Sequence, residues 1–487
     1  MRPSRVTRAR LIALLLALTP ASVSAAVTLP TALSKAYLEN PTLVAARARL
    51  RAADEGVPIA RASRRPQIAA TTGASVGLQE SNRGSRSTSS FRQALGIEQP
   101  LYTGGEASAR IGRAETLVEA ERARLEAVEQ AVLLAAIEAF TAVLQAQRVL
   151  ELALGNETRL GRQLEAVQRR YRFGELTQTD VAQAEARYAR GIADREAAAG
   201  ELETAGAAYR KVIGDPPGTL VEPVMPADLP PDEQAALERI ADNPNVRAAD
   251  FGVGVARREV DVALSALKPR LKLRGEASYV DEPSGRYDWQ SDVSIGAVLS
   301  IPLYQGGGEY GRIRQTRQLL TEGRYTLESA RRDVREDIQA AWQDLQTARA
   351  RGRSLARQVE SAALALDGVR QESLVGARTV LDVLDAEQEL FDAEVAAAAA
   401  ARDSIVAAYR LKAGMGELTA MALDLDAVPY DPDAYYQEVR SAWFGTGDSA
   451  ADDPPGPETD DDQDGAVADD ADAEGETMDT EAMPEGG

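Results

Sequence analysis

From Trp289 to Ile301 apolar residues fall on alternate positions. Trp289, Val293, Ile295, Ala297, Leu299 and Ile301 share one face, while Asp292, Ser294, Gly296, Val298 and Ser300, mostly small or polar, share the other. A period of two belongs to a strand with one face in an apolar surround and the other in water. Phe91, Leu95 and Ile97 repeat the pattern. So do Gln67 to Leu78 and Arg270 to Val280, the latter setting Leu271 and Leu273 against Lys272, Arg274 and Glu276. The alternation predicts two strand hairpins, at about 67–101 and 270–303. Strands of this length cross a bilayer when tilted, which takes about 9–11 residues. Half-buried strands of a soluble sandwich alternate in the same way.

After each hairpin the period changes. No proline occurs between Pro100 and Pro216 or between Pro302 and Pro429, leaving stretches of 115 and 126 residues rich in Ala, Glu, Arg, Gln and Leu. These residues lose little rotamer freedom on entering a helix. Val118, Leu125, Val128, Val132, Ala135, Ala139 and Val143 recur at steps of three, four and seven, the spacing of coiled-coil packing. The arm from Glu106 to about Arg172 holds 67 residues, or roughly 100 Å of helix. Each stretch is interrupted by a glycine-bearing tip, at Gly174 and Gly376, followed by Thr177 or Thr379 as the N-cap of a new helix. The expectation is two helical hairpins, 106–214 and 308–416.

The two halves also share motifs. Gln99 to Gly105 reads QPLYTGG and Ile301 to Gly307 reads IPLYQGG, 202 positions apart. Asn40-Pro41 answers to Asn243-Pro244 and Pro66 to Pro269 at a spacing of 203, and Gly174, Thr177, Asp180 and Val181 answer to Gly376, Thr379, Asp382 and Val383 at 202. Two copies with so long a period predict a tandem duplication, with repeats at 26–214 and 232–416 joined by a Pro-rich linker at 215–231. At each strand-to-helix joint, Pro100 or Pro302 lacks the N–H of a ladder, and Gly104-Gly105 or Gly306-Gly307 tolerates the sharp turn.

Composition fixes the address and removes chemistry. Four arginines, an apolar run from Leu11 to Leu18 and small residues to Ala25 form a secretory signal over 1–25. With neither cysteine nor histidine, the chain lacks disulfides, thiolate metal sites, a lipid-anchoring cysteine and the usual general base, so neither enzyme, cofactor nor metal centre is expected. Setting aside sixteen acids in the tail 447–487 and four arginines of the signal brings the net charge from −21 to −9 for the body. The tail is too polar to fold and is expected to be disordered. An acidic exported body without a concentrated basic face excludes nucleic acid as a partner.

Four strands cannot close a barrel, and open edges do not survive in lipid. The fold class expected is therefore a mixed α/β membrane protein whose chain pools four antiparallel strands with copies of itself, the barrel continuing into long helices.

With the doubled PLYxGG joint, the Asn-Pro helices ending near Pro66 and Pro269, and the run VGARTVLDVLDAEQEL from Val375 to Leu390, residues 30 to 440 resemble the TolC family of outer-membrane efflux and secretion channels. YDPDAYYQEVRSAWF, from Tyr430 to Phe444, resembles the ending of members serving type I protein secretion. The resemblance implies a homotrimer with a twelve-stranded barrel in outer-membrane lipid and a twelve-helix periplasmic tunnel. It also implies a belt from the linker and the C-terminal segment 417–446, and docking to a periplasmic adaptor and an inner-membrane ABC or proton-driven pump. Asp382 and Asp385 map onto the family's pore constriction, where like-charge repulsion would raise their pKa values. Arg378 with Thr179 and Asp180 maps onto its gate latch, while a further latch tyrosine falls at Ser373 and is absent. A periplasmic adaptor is the alternative, but it would carry one hairpin, lipoyl-like β segments and often an anchoring cysteine. A diffusion porin would be all strand.

Overall fold

The structure, a computed structural model, describes residues 26–82, 84–281 and 288–446. The signal at 1–25 and the acidic tail at 447–487 lie outside the described residues. Residues up to Trp443 form one unit, and the rest of the chain forms a second, of which 444–446 are described.

In chain order, α1 (Leu29–Glu39), α2 (Pro41–Asp54) and α3 (Gly56–Ala62) precede strands β1 (Gln67–Ser81) and β2 (Gly84–Tyr102). Then come α4 (Glu106–Arg172) and α5 (Gln178–Ile213). A connector carries the short α6 (Glu233–Leu237) and a 3-10 turn (Ile240–Asp242) to α7 (Pro244–Ser265), β3 (Arg270–Asp281) and β4 (Trp289–Ser300). The chain continues through α8 (Gly308–Leu374), α9 (Val380–Gly414) and α10 (Ala434–Val439). α4 and α8 each hold 67 residues.

The strands form one antiparallel sheet in the order β1-β2-β3-β4, with β1 and β4 as open edges. The register collects the apolar positions. Ile68 faces Ile97, Ile97 faces Gly275 and Gly275 faces Ile295, while Ala70, Leu95, Ala277 and Val293 form the next row. This face is uncovered, with Val76 at 83%, Val293 at 84% and Ile295 at 79% exposure. On the opposite face Glu98 accepts from Lys272 at 3.1 Å and Arg274 at 3.0 Å. An apolar face this exposed costs too much in water to be a soluble surface.

α4 is the one helix among the described residues long and apolar enough to cross a membrane by composition. Its Leu133, Ala136, Ile137, Phe140 and Val143 are instead buried in a core shared with α1, α2, α5, the end of α9 and Leu418. α4 packs along α5 over its tip half and along α7 over its strand half, and α8 does the same with α9 and α7. α8 exposes far more of its surface than α4.

Asn40 and Asn243 show how local chemistry fixes these joints. Each Oδ1 accepts a backbone N–H two residues on, Thr42 and Asn245 both at 2.9 Å, and Pro follows at the first helical position. Each Nδ2 donates to a carbonyl in the last turn of the returning helix, Val212 at 2.8 Å for α5 and Gly414 at 2.9 Å for α9. One amide thus satisfies orphan groups at one helix start and one helix end.

The halves differ where the sequence suggested identity. The helices before the strands end at Ala62 and Ser265, several residues short of Pro66 and Pro269, and the first is broken at Glu55 into α2 and α3 while α7 is continuous. β2 runs through Pro100, which is in register with Lys272 ahead of a bulge at Tyr102, whereas β4 stops before Pro302. Gly104, at φ +66°, leaves a Cβ only 2.9 Å from Lys268 Cβ and 3.1 Å from the Ser265 carbonyl, whereas Gly306, at φ +72°, has nothing within 4 Å.

The connector and C-terminal segment are tied down by charge. Lys412, buried in α9, donates to Asp228 and holds that carboxyl below its usual range. Asp433 pairs with Arg122 at 2.5 Å, and Glu129 accepts from the Ala420 N–H at 2.6 Å. Beneath this segment Asp54 is wholly buried, with neither oxygen hydrogen-bonded. Burial, with Asp433, Glu55 and Glu119 nearby, pushes its pKa up to about 6 against the opposing charge of Arg122.

Candidate gate at the helical tips

Each long helix ends in a left-handed glycine, Gly174 at φ +76° and Gly376 at φ +79°, a conformation any side chain would strain. The next helix then starts on a capping box. Thr177 donates through its N–H and hydroxyl to Asp180, both at 2.8 Å, and the Asp180 N–H returns to the Thr177 hydroxyl at 3.3 Å. Thr379 and Asp382 repeat the arrangement at 2.8, 2.8 and 3.2 Å. These bonds stabilise the ionised carboxylates and hold both below their usual pKa. Within one chain these cap bonds set the direction at Asp382; the rise from like-charge repulsion belongs to a ring of several copies.

Asp385 is not a free carboxylate either. Arg187 of α5 donates to it at 2.6 Å, linking the two hairpin tips. Beneath the pair Leu160, Val167, Ala184, Val380 and Leu384 form a small core, with Tyr188 packed on it. Arg370 donates at 2.8 Å to the buried Glu387, whose other oxygen is unpartnered.

Arg378 in the α8–α9 turn donates to Glu372 at 2.8 Å, so within one chain it meets neither Thr179 nor Asp180. Glu372 raises its pKa further. Thr179 is exposed in the first turn of α5. Ser373 contributes its carbonyl to the Gly376 N–H at 3.1 Å and nothing resembling a tyrosine's reach.

Sequence reasoning missed Arg187, Glu372 and Glu387. A signal for Arg187 existed. It stands one helical turn beyond Gln183, which lies 202 residues before Asp385, so if equivalent residues sit at equal height an arginine there reaches the aspartate.

An unclosed sheet with a bare apolar face, carried on paired long helices that end in charged tips, defines a protein of the outer-membrane channel class. The sequence profile of the outer membrane efflux protein family matches residues 32–215 and 236–417, and the chain belongs to that family. It is an outer-membrane exit duct for export. The outer membrane efflux protein BepC of Brucella suis biovar 1 (strain 1330) is 35% identical over 424 residues, covering 86% of this chain and 91% of BepC. The alkaline protease secretion protein AprF of Pseudomonas aeruginosa is 28% identical, over 71% of this chain and 73% of AprF. The outer membrane channel CmeC of Campylobacter jejuni superposes with a TM-score of 0.73 at 14% identity, over 85% of this chain and 89% of CmeC.

Proposed function

We propose that three copies of this chain, each built from two tandem repeats, close a twelve-stranded barrel and a twelve-helix tunnel. The tunnel receives cargo from a periplasmic adaptor and an inner-membrane ABC or proton-driven pump, while the connector 215–231 and the segment 417–446 form the belt around it. The observation carrying this reading is the four-stranded sheet with two open edges and an exposed apolar face. Only further copies can pair those edges in lipid. The joints agree with it, since Gly104 packs on the end of α7 and Gly306 on nothing in its own chain. A neighbouring copy would present the end of α3 to Gly306.

At the tip, Arg378 of one subunit would turn from Glu372 to Thr179 and Asp180 of the next, and Asp382 and Asp385 would ring the narrowest point. The chain supplies no energy and performs no reaction; the pump drives transport and selects the cargo. Relatives named for efflux and for protease secretion support small toxic molecules and secreted proteins as cargo classes. The test is conductance of purified wild type and the Arg378→Ser, Asp180→Ala double variant in planar lipid bilayers. Small cation-selective openings that grow in the variant support duct and latch. Equal conductance removes the latch assignment, and no conductance removes the duct.

A further inference from the structure

Three arginines just before β1, close to where a neighbouring copy would pack, have side chains that the gate does not use. Arg61, Arg64 and Arg65 stand at the end of α3 and in the turn after it, two to six residues before the strand that begins at Gln67. With Ile111 and Glu115 of α4 and Trp443 they line a cleft of about 550 Å³. The Arg65 guanidinium lies 4.6 Å from the centre of the Trp443 ring, which is 59% exposed. Arg61 donates to the Arg440 carbonyl at 3.0 Å and Glu115 at 3.3 Å, Arg65 donates to the Ala442 carbonyl at 2.6 Å, and Arg64 to the Ser108 hydroxyl. Each guanidinium has five donors, so several remain to face the cleft.

The level of this cleft is fixed by the sheet. The bare apolar rows begin at Ile68, and the doubled joint exposes Tyr102 and Tyr304, the latter at 80%. Such tyrosines and Trp443 are the residues that sit at headgroup depth. On the reading proposed above, on which this inference rests, the helices lie in the periplasm and this edge of the sheet meets the periplasmic leaflet. We infer that Arg61, Arg64, Arg65 and Trp443 form a site for the phosphate of an anionic phospholipid in that leaflet. Planar guanidinium forks match phosphate oxygens in pairs, and the indole takes the glycerol and upper acyl region. Three arginines opposed by Glu115 leave two net positive charges in a body that is otherwise acidic, which favours a headgroup with net charge over a zwitterionic one.

The trimer in detergent, given phosphatidylglycerol or phosphatidylcholine and observed by native mass spectrometry, tests the site. Wild type should retain phosphatidylglycerol with a preference on the order of twentyfold, and the Arg61→Gln, Arg64→Gln, Arg65→Gln variant should lose it. Arg64→Gln alone, which gives up only the bond to Ser108, should lower the preference about fivefold if the triple variant fails to assemble. Equal retention of the two lipids, an unchanged preference in both variants, or displacement of phosphatidylglycerol by inorganic phosphate at comparable concentration overturns the proposal.

Discussion

Replacing Asn40 by Ala removes two bonds that hold different elements. The cap on the Thr42 N–H is lost, and the Val212 carbonyl in the last turn of α5 loses its donor. The cap is worth about 1 kcal/mol and the buried carbonyl left without a partner about 1–2 kcal/mol. The sum, about 2–3 kcal/mol, should fall on local opening of the junction. At about 1.4 kcal/mol per tenfold, amide exchange through that opening should accelerate roughly 30- to 150-fold. Hydrogen–deuterium exchange of peptides from the last two turns of α5 measures it. Asn40→Ser keeps a capping oxygen but is too short for Val212, so it should show the clamp portion alone. Asn243→Ala should soften the end of α9 through Gly414 and leave α5 untouched. The reasoning fails if Asn40→Ala leaves the end of α5 protected, or if either variant softens both helix ends equally.

Arg187→Gln and Asp385→Asn should each raise the open probability of reconstituted channels by up to about fivefold, the worth of a half-exposed ion pair, and the double variant should be no more open than either; a double variant in which the two effects combine in full means that the side chains do not act as a pair. Asp54 is held at about 6 against 3.8 unfolded, so the folded state binds its proton more tightly. Its burial therefore costs nothing at low pH and up to about 3 kcal/mol once pH rises past 6. The C-terminal segment should become better protected from proteolysis between pH 7 and 5, and Asp54→Asn should abolish that dependence; a variant with unchanged pH dependence refutes it. Gly306→Ala should impair trimer yield as much as Gly104→Ala although Gly306 is open in its own chain, and clearly milder damage would argue against a copy packing there.

Periodicity located the strands and long helices because both signals are local. The alternation in Trp289 to Ile301 anticipates β4, and the proline-free run from Glu106 anticipates α4 to its last residue, Arg172. Thr177 and Thr379 were legible as caps, because a Thr after glycine and before an apolar run has few other uses. The break between α2 and α3 was not, since Gly56 and Pro58 lie in a stretch whose helix signal outweighs both. Arg187 was missed because its partner is 198 residues away and the contact depends on how two hairpins lean together. Motif mapping gave Asp382 a role in a pore, while the structure shows its oxygen also shaping the backbone of the turn.

The equal length of α4 and α8 limits how such a channel can change. A helix gains or loses height in steps of one residue, and the side chain it presents rotates by 100° at each step. Shortening one long helix alone would drop one tip below its neighbour and turn Arg187 or Asp385 out of reach. Tunnel depth can therefore vary only through matched insertions or deletions in both halves, each in whole turns and each compensated in α5 and α9. Any change in the height of the tips must therefore be written twice into one chain, once in each 67-residue helix.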